Sequence, residues 1–250
     1  MRLVEQNFYK NYGKAVLFVL LLWQVLAWLA ANPGLPGPIP AIKEFIGSWW
    51  PELARHTLIS AYRVLLSLLL SLATAVPLGL WIGRCSRLDS LLGPVAYLLY
   101  PVPKVALLPV IMLLLGIGEG SKVALIFLVI FFQILVTTRD AARKIPEQLL
   151  LSVRSLGAGS WELYRQVIIP ACLPEIFTAS RISLGSAISV LFLSETVAGR
   201  SGLGYYILDG MLRAEYGVMF AGILAISFLG LILYALLDIL EIFLCPWRYI

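Results

Sequence analysis

The sequence contains few charged residues, three cysteines and a single histidine. Charged residues make up 13% of the 250 residues, about half of the roughly 25% found in soluble domains. With so little polar surface the chain does not suit a soluble enzyme, a disordered segment or a nucleic-acid-binding domain. Cys85, Cys172 and Cys245 are far apart and form no CxxC pair, and His56 stands alone. This pattern argues against a metal cluster or a disulfide framework.

Apolar residues, in contrast, are abundant and arranged in long runs. Hydrophobic residues make up 60% of the chain, and the mean hydropathy is +0.92. Because a membrane-spanning helix needs about 20 mainly apolar residues, the sequence predicts an all-α polytopic membrane protein with six transmembrane helices. The third predicted span contains Pro94, Pro101, Pro103 and Pro109, which predicts a broken span packed against other helices rather than lipid. The predicted spans are 14–31, 58–83, 91–116, 122–138, 170–198 and 218–240.

Lysine and arginine are unevenly divided between the two sides of these spans. Because the cytoplasmic side of a membrane protein holds the excess, we expect both termini to be cytoplasmic. Residues 1–56 would form an N-terminal transmembrane helix and an outer interfacial segment, followed by a five-helix core in 57–250. Lys104, Arg63 and Arg181 fall within or beside spans. The predicted cytoplasmic side carries Arg2, Lys10, Lys14, Arg84, Arg87, Arg139, Arg143, Lys144, Arg154, Arg165 and Arg248, and the other side carries Lys43, Arg55, Lys122, Arg200 and Arg213.

One connection, the cytoplasmic loop 139–169, is too long for a simple helical bundle. Connections of this length are usually functional or disordered, but apolar residues recur in this one at helical spacing. The pattern predicts a helix, a break at Gly157-Ala158-Gly159 and a second helix from Ser160, with Leu156, Trp161 and Tyr164 near the bend. Such a unit fits either a helix pair lying on the lipid headgroups or a docking knob for a cytoplasmic partner.

The same segment resembles the EAA loop of ABC-importer permeases, the inner-membrane components of binding-protein-dependent transport. Its run Arg154-Ser155-Leu156-Gly157-Ala158 and the later Val167, Ile169 and Pro170 have the spacing of that loop. The Glu-Ala-Ala of the family pattern falls on Leu151-Ser152-Val153, so the acidic residue is absent here. The run ETVAGRSGLGY at 195–205 is similar to permeases of the nitrate, sulfonate, taurine and bicarbonate subgroup.

The resemblance implies a type I ABC importer permease in the bacterial inner membrane. Its partners would be a second permease copy in a homodimer, two ABC ATPase subunits and an external substrate-binding protein. The sequence has no GxxxxGKS or GxxxxGKT phosphate-binding motif. We therefore expect a transport subunit without a catalytic site and without a cofactor, with ATP and Mg bound by the partner ATPase. The ATPase would contact Leu156, Gly157, Ala158, Trp161, Glu162 and Tyr164.

The resemblance also implies a small solute moved by alternating access. Arg63 and Arg181 favour an anion of the sulfonate, nitrate or taurine type, and a permease for a pyrimidine or a vitamin is the alternative. A secondary transporter is a further rival. It would need intramembrane carboxylates or inverted repeats, whereas only Glu195 and Asp238 lie near the ends of spans.

Polar side chains within the spans are the candidates for the translocation pathway. In the second span, small polar residues share one helix face around Arg63, a pattern that suits either helix packing or a cavity lining. For Arg181 we expect an ion pair with Glu175, although snorkelling to the interface or contact with an anionic substrate are alternatives. The pathway candidates are Ser60, Arg63, Ser67, Arg181, Ser183, Ser186 and Glu195.

Overall fold

The computed structural model describes residues 2–248, with side chains described from residue 13 onward except that of Ala198. Within this range the chain is helical and contains no strand. Short π or 3₁₀ turns cover Trp49–Leu53, Lys104–Leu107, Tyr164–Ile168 and Pro246–Arg248. The helices are α1 (Arg2–Ala30), α2 (Pro38–Gly47), α3 (Ala54–Arg84), α4 (Ser86–Leu99), α5 (Leu108–Leu115), α6 (Glu119–Lys144), α7 (Glu147–Ser155), α8 (Ser160–Leu163), α9 (Ile169–Ala198), α10 (Leu203–Leu212) and α11 (Tyr216–Leu244).

Five helical segments of the described chain are long and apolar enough to cross a membrane. They are Gly13–Ala30 in α1, Trp49–Arg84 around α3, Glu119–Lys144 (α6), Ser160–Val197 with most of α9, and Tyr216–Leu244 (α11). A sixth candidate span is the pair of α4 and the stretch Lys104–Leu115, which are bent by 84° relative to each other and count as one span when taken together. The prediction of a six-span all-α membrane protein is confirmed. The predicted break of the third span lies at Pro101 and Pro103, between Leu99 and Lys104. The predicted cytoplasmic placement of the termini stays a prediction, because Met1 and residues 249–250 lie outside the described residues. The side chains of Arg2 and Lys10, which were counted for that prediction, are also outside the described part of the chain.

The broken span is only loosely packed within this chain. Its buried residues are Gly93 and Ala96 in α4 and Leu108 and Ile111 in α5. Leu113, in contrast, is almost fully exposed. One side of the span contacts α3 and α6, and the expectation that its exposed side also packs against helices rather than lipid stays a prediction.

The core of the bundle is a close parallel contact between α3 and α6. Ser67 Oγ donates a hydrogen bond across the contact to the carbonyl oxygen of Val123 at 3.1 Å. A Cβ on Gly79 would lie 2.9 Å from the carbonyl oxygen of Leu135. Both pairs are 56 residues apart in the chain, so the register stays constant along the contact. Small residues and interhelical hydrogen bonds let two helix backbones approach closely in a membrane.

Helix α1 lies at the edge of the bundle. The apolar part of α1, Gly13–Ala30, has none of its residues buried. Trp23 links α1 to the remainder of the chain, since its Nε1 donates to the carbonyl oxygen of Pro36 at 3.0 Å and its ring stacks on Phe220. The division of the chain at residue 56 stays a prediction.

Candidate functional site

The predicted loop 139–169 begins within α6, which continues to Lys144, and then forms two short helices, α7 and α8, joined by a sharp bend. At the bend Gly157 has a φ of +90°, a backbone conformation that glycine adopts at little cost. Leu156 is 86% exposed and Trp161 is 68% exposed, so two large apolar side chains stand at the tip. The bend is therefore an apolar knob, defined here by Leu156, Gly157, Ala158 and Trp161.

The base of the knob is anchored in the bundle. Leu150 of α7 and Leu163 of α8 are buried in one apolar cluster with Leu80 of α3, Ala142 of α6 and Cys172 of α9. A displacement of the knob would therefore act on three membrane helices at once, because closely packed side chains transmit displacement.

The remaining residues predicted to contact the ATPase lie around the same bend. Glu162 is exposed beside Gly159, whereas Ala158 and Tyr164 are half-buried. The structure brings all six predicted residues together, and their contact with an ATPase stays a prediction.

An ionic network with a buried centre, the Arg63 cluster, joins α3, α6 and α9. It consists of Arg63, Glu119 and Glu195 together with Ser60 and Ser201. Arg63 Nε donates to Glu119 Oε2 at 2.7 Å, and Arg63 Nη1 lies 2.5 Å from Glu195 Oε1. The side chains of Arg63 and Glu195 have no exposed surface. Charge-assisted hydrogen bonds of this kind are required wherever charges are removed from water.

The same network caps the N-terminus of α10. The backbone N–H groups at positions 202, 203 and 204 donate to His56 Nδ1 (3.0 Å), Ser60 Oγ (2.8 Å) and Glu195 Oε2 (2.7 Å). Helix N-termini present unpaired N–H groups and favour a negative charge. Glu195 therefore serves two purposes, since it pairs with Arg63 and fixes the start of α10. Sequence reasoning missed the part of His56, which no local pattern indicated.

Glycines explain the spacing within the run 195–205. Gly202 has a φ of +103°, and a Cβ there would collide with the Glu195 carboxylate and the Arg63 guanidinium. A Cβ on Gly204 would lie 2.6 Å from the carbonyl oxygen of Phe192. The absence of side chains at Gly202 and Gly204 therefore allows the N-terminus of α10 to contact the buried carboxylate of Glu195 directly.

The other serines predicted for the pathway lie at helix contacts. Ser67 belongs to the α3–α6 contact, and Ser183 is buried with its Oγ donating to the carbonyl oxygen of Ala179 in its own helix at 2.8 Å. Ser186 is half-buried and accepts a hydrogen bond from Gln133 Nε2 at 3.4 Å. For Ser60, Arg63, Ser67 and Ser183 these contacts support helix packing, and a role in the pathway stays a prediction.

Arg181 makes an ion pair, but the expected partner is wrong. It pairs with Asp238 at 2.7 Å and with Glu241, both on α11, rather than with Glu175. Glu175 is six residues away in the same helix, so the two side chains point to different faces. Glu241 also pairs with Arg248 in the last described turn.

A second ionic network, the Arg139 cluster, consists of Asp89, Tyr97, Arg139, Asp140 and Arg143. Arg139 Nε donates to Asp89 Oδ1 at 2.6 Å, and the Tyr97 hydroxyl donates to Asp140 Oδ2 at 2.7 Å. The Arg139 guanidinium also lies 5.1 Å from the centre of the Tyr97 ring. The cluster ties α4 to α6. Sequence reasoning counted Arg139 and Arg143 only as charges of the cytoplasmic side and did not consider Asp89 and Asp140, although an acidic residue beside a basic one at a span end was a usable signal.

Comparison with known proteins assigns the chain to a family. The family described as "Binding-protein-dependent transport system inner membrane component" matches residues 75–242. The taurine transport system permease protein of Escherichia coli (strain K12) is 29% identical over 95% of this chain and 89% of the relative. The aliphatic sulfonates transport permease protein of Bacillus subtilis (strain 168), itself named as putative, is 32% identical over 96% and 90%.

Two further similarities bear on substrate and fold. A riboflavin transport system permease protein of Chloroflexus aurantiacus is 32% identical over 93% of this chain and 88% of the relative. A chain of the MetNI methionine ABC transporter, solved in inward-facing conformations, superposes with a TM-score of 0.64 at 19% identity. The superposition covers 77% of this chain and 95% of that one, and at this identity it speaks for the fold alone.

Proposed function

The chain belongs to the family of binding-protein-dependent transport system inner membrane components, and on that premise we propose that it moves a small sulfonate-type anion by alternating access. It is a multi-pass permease subunit of an ABC importer in the inner membrane, and the ATPase of such an importer is a separate partner. The solute would be delivered by an external binding protein, and the permease would pair with a second copy of itself.

The observation that carries the mechanism is the apolar knob on its buried base. Leu156 and Trp161 are large and exposed at the tip, which is the composition of a protein-binding hot spot. Leu163 at the base packs in one cluster with residues of α3, α6 and α9. If the ATPase subunits bind the knob and move together when they bind ATP, they would therefore shift these helices as a rigid body.

The names of the relatives support the substrate class. Taurine and aliphatic sulfonates are small molecules with a sulfonate group, and both relatives named for them cover nearly the whole chain. A vitamin-type substrate is the second candidate, because the riboflavin relative is equally similar in identity. Uptake by proteoliposomes containing the permease, its ATPase and its binding protein separates the two. We expect ATP-dependent uptake of taurine or ethanesulfonate, and uptake of riboflavin alone would reverse the assignment.

The docking role is tested by Trp161→Ala in the complete importer. Removing a hot-spot aromatic costs about 2 kcal/mol or more of binding free energy, roughly a 30-fold loss of affinity. We expect ATP hydrolysis stimulated by the loaded binding protein and solute uptake to fall together. Trp28→Ala is the control, since Trp28 is 77% exposed, compared with 68% for Trp161, but lies on α1. If the two variants couple ATP hydrolysis to uptake equally well, the knob is not the docking element.

A further inference from the structure

Lys104 lies at the break of the bent span, where its side chain is half-buried. Its ammonium donates to the carbonyl oxygens of Leu99, at 2.9 Å, and of Tyr100, at the C-terminal end of α4. It also lies 5.1 Å from the centre of the Phe132 ring. Carbonyl dipoles and an aromatic face hold a cation in an apolar region without neutralising its charge.

Lys104 differs in its partners from three arginines of the spans. Arg63, Arg139 and Arg181 each pair with at least one carboxylate. Over residues 2–248, no carboxylate lies within ion-pair distance of Lys104. An ammonium has three N–H donors, and two of them are used by the carbonyls. A cation within a span whose charge is not balanced marks a functional position by default.

A cavity of about 260 Å³ opens beside this ammonium. Its wall includes Lys104, Tyr100, Phe132 and Gln133. The Gln133 Oε1 atom is buried and has no hydrogen-bond partner among the described residues. Gln133 is 14 residues after the start of α6 and 11 before its end, roughly 21 Å and 17 Å along a helix that rises about 1.5 Å per residue. The cavity therefore lies near the middle of the span and contains one unbalanced cation and one unused acceptor.

We propose that Lys104 and Gln133 form a subsite for a small aminosulfonate within the membrane part of this chain. The sulfonate oxygens would accept a hydrogen bond from the free N–H of the Lys104 ammonium. The amino group of the ligand would donate to Gln133 Oε1, which satisfies a buried acceptor. The cavity is smaller than the roughly 300–1,000 Å³ of sites for drug-sized ligands, and it suits a ligand the size of taurine. This inference rests on the proposed sulfonate substrate.

The test measures binding of taurine and of ethanesulfonate, which lacks the amine, to the purified permease–ATPase complex, and uptake of both by the complete importer. We expect Lys104→Met to weaken binding of both ligands about tenfold or more, the loss typical of a hydrogen bond to a charged group. Lys104→Arg keeps the charge and should restore binding. Gln133→Leu should weaken taurine binding while leaving ethanesulfonate binding unchanged. Lys43→Met, a change at an exposed lysine of α2, is the control.

The outcomes separate this inference from the proposed function. If the wild-type importer takes up neither ligand, the proposed substrate class fails and the subsite with it. If the wild type takes up taurine and Lys104→Met matches it in binding and uptake, only the subsite fails. If Lys104→Met does not assemble with the ATPase although Lys104→Arg does, Lys104 serves only to stabilise the fold, and the proposal is overturned. If Gln133→Leu binds both ligands as the wild type does, the contact to the amine is overturned.

Discussion

The Arg63 cluster and the Arg139 cluster both join an arginine to two carboxylates, yet they differ in burial and in what they hold. The inner pair of the Arg63 cluster, Arg63 and Glu195, has no exposed surface, whereas Arg139 and Asp89 are 7% and 16% exposed. Each cluster also has a more exposed acid, because Glu119 is 53% and Asp140 is 35% exposed. The Arg63 cluster connects α3, α6 and α9 and caps α10. The Arg139 cluster connects only the first half of the broken span, α4, to α6.

The difference shows which parts of the fold are fixed and which can move. Removing one partner of a fully buried ion pair leaves an uncompensated charge in an apolar region. A partly exposed pair, in contrast, is screened by water and salt. We therefore infer that α3, α6, α9 and the start of α10 form a rigid frame. The broken span is held to that frame by weaker contacts, so it is the part of the chain best suited to a change in conformation.

The largest effect is expected for Glu195→Gln. This variant keeps the shape of the side chain but removes its charge, and it leaves a single acceptor oxygen for the two roles of the carboxylate, which faces Arg63 with Oε1 and the Gly204 N–H group with Oε2. Breaking a buried pair costs about 3–5 kcal/mol of unfolding free energy. Glu119→Gln is the matched control in the same cluster, because the Glu119 side chain is 53% exposed, and exposed pairs contribute about 1 kcal/mol or less.

Thermal unfolding of the detergent-purified importer complex compares these two variants directly. Equal losses of stability in Glu195→Gln and Glu119→Gln would mean that burial does not set the strength of the cluster, and the contrast between rigid frame and broken span would lose its basis.

A smaller and local effect is expected for Asp89→Asn in the Arg139 cluster. Asp89 pairs with Arg139 and with Arg143, which lies 3.2 Å from Asp89 Oδ2. Hydrogen bonds to charged groups contribute about 1.5–3 kcal/mol, and partial exposure should bring the loss to the lower end of that range. We expect faster hydrogen exchange in α4 and unchanged exchange in α3. Glu175→Gln, an exposed acid of α9 with no ion pair in the described chain, is the control. A matching increase in α3 would show that the two helices open as one unit.

The spans of the fold could be predicted from the sequence because each depends on the hydropathy of its own residues. The break of the third span was equally local, since Pro101 and Pro103 remove backbone donors where they stand. The packing of that span, in contrast, could not be predicted from its own residues. Its exposure depends on which helices lie beside it, and the sequence does not state the order of helices in space.

The sequence indicated which polar residues belong to the candidate sites, but it did not indicate which residues they contact. A period of three or four places Ser60, Arg63 and Ser67 on one face of α3, but only the folded chain shows that this face meets α6 and α9. For Arg181 the nearest acid in sequence was the wrong partner, because the true partners belong to a helix more than fifty residues later. Lys104 was recognised as a charge beside a span, and its cavity became visible only with α6 in place.

The smallest effect is expected for Asp209→Asn on α10. Asp209 and Arg213 form an exposed i,i+4 pair at 2.9 Å, and such pairs contribute about 0.3–0.5 kcal/mol. We expect the unfolding midpoint to stay within experimental error and the small difference to vanish at high salt. The same measurement on the complex with and without the binding protein sharpens the comparison. A loss above about 1 kcal/mol that appears only with the binding protein would show that this pair is covered in the assembly. The exposed face of α10 would then belong to a contact surface rather than to the solvated edge of the frame.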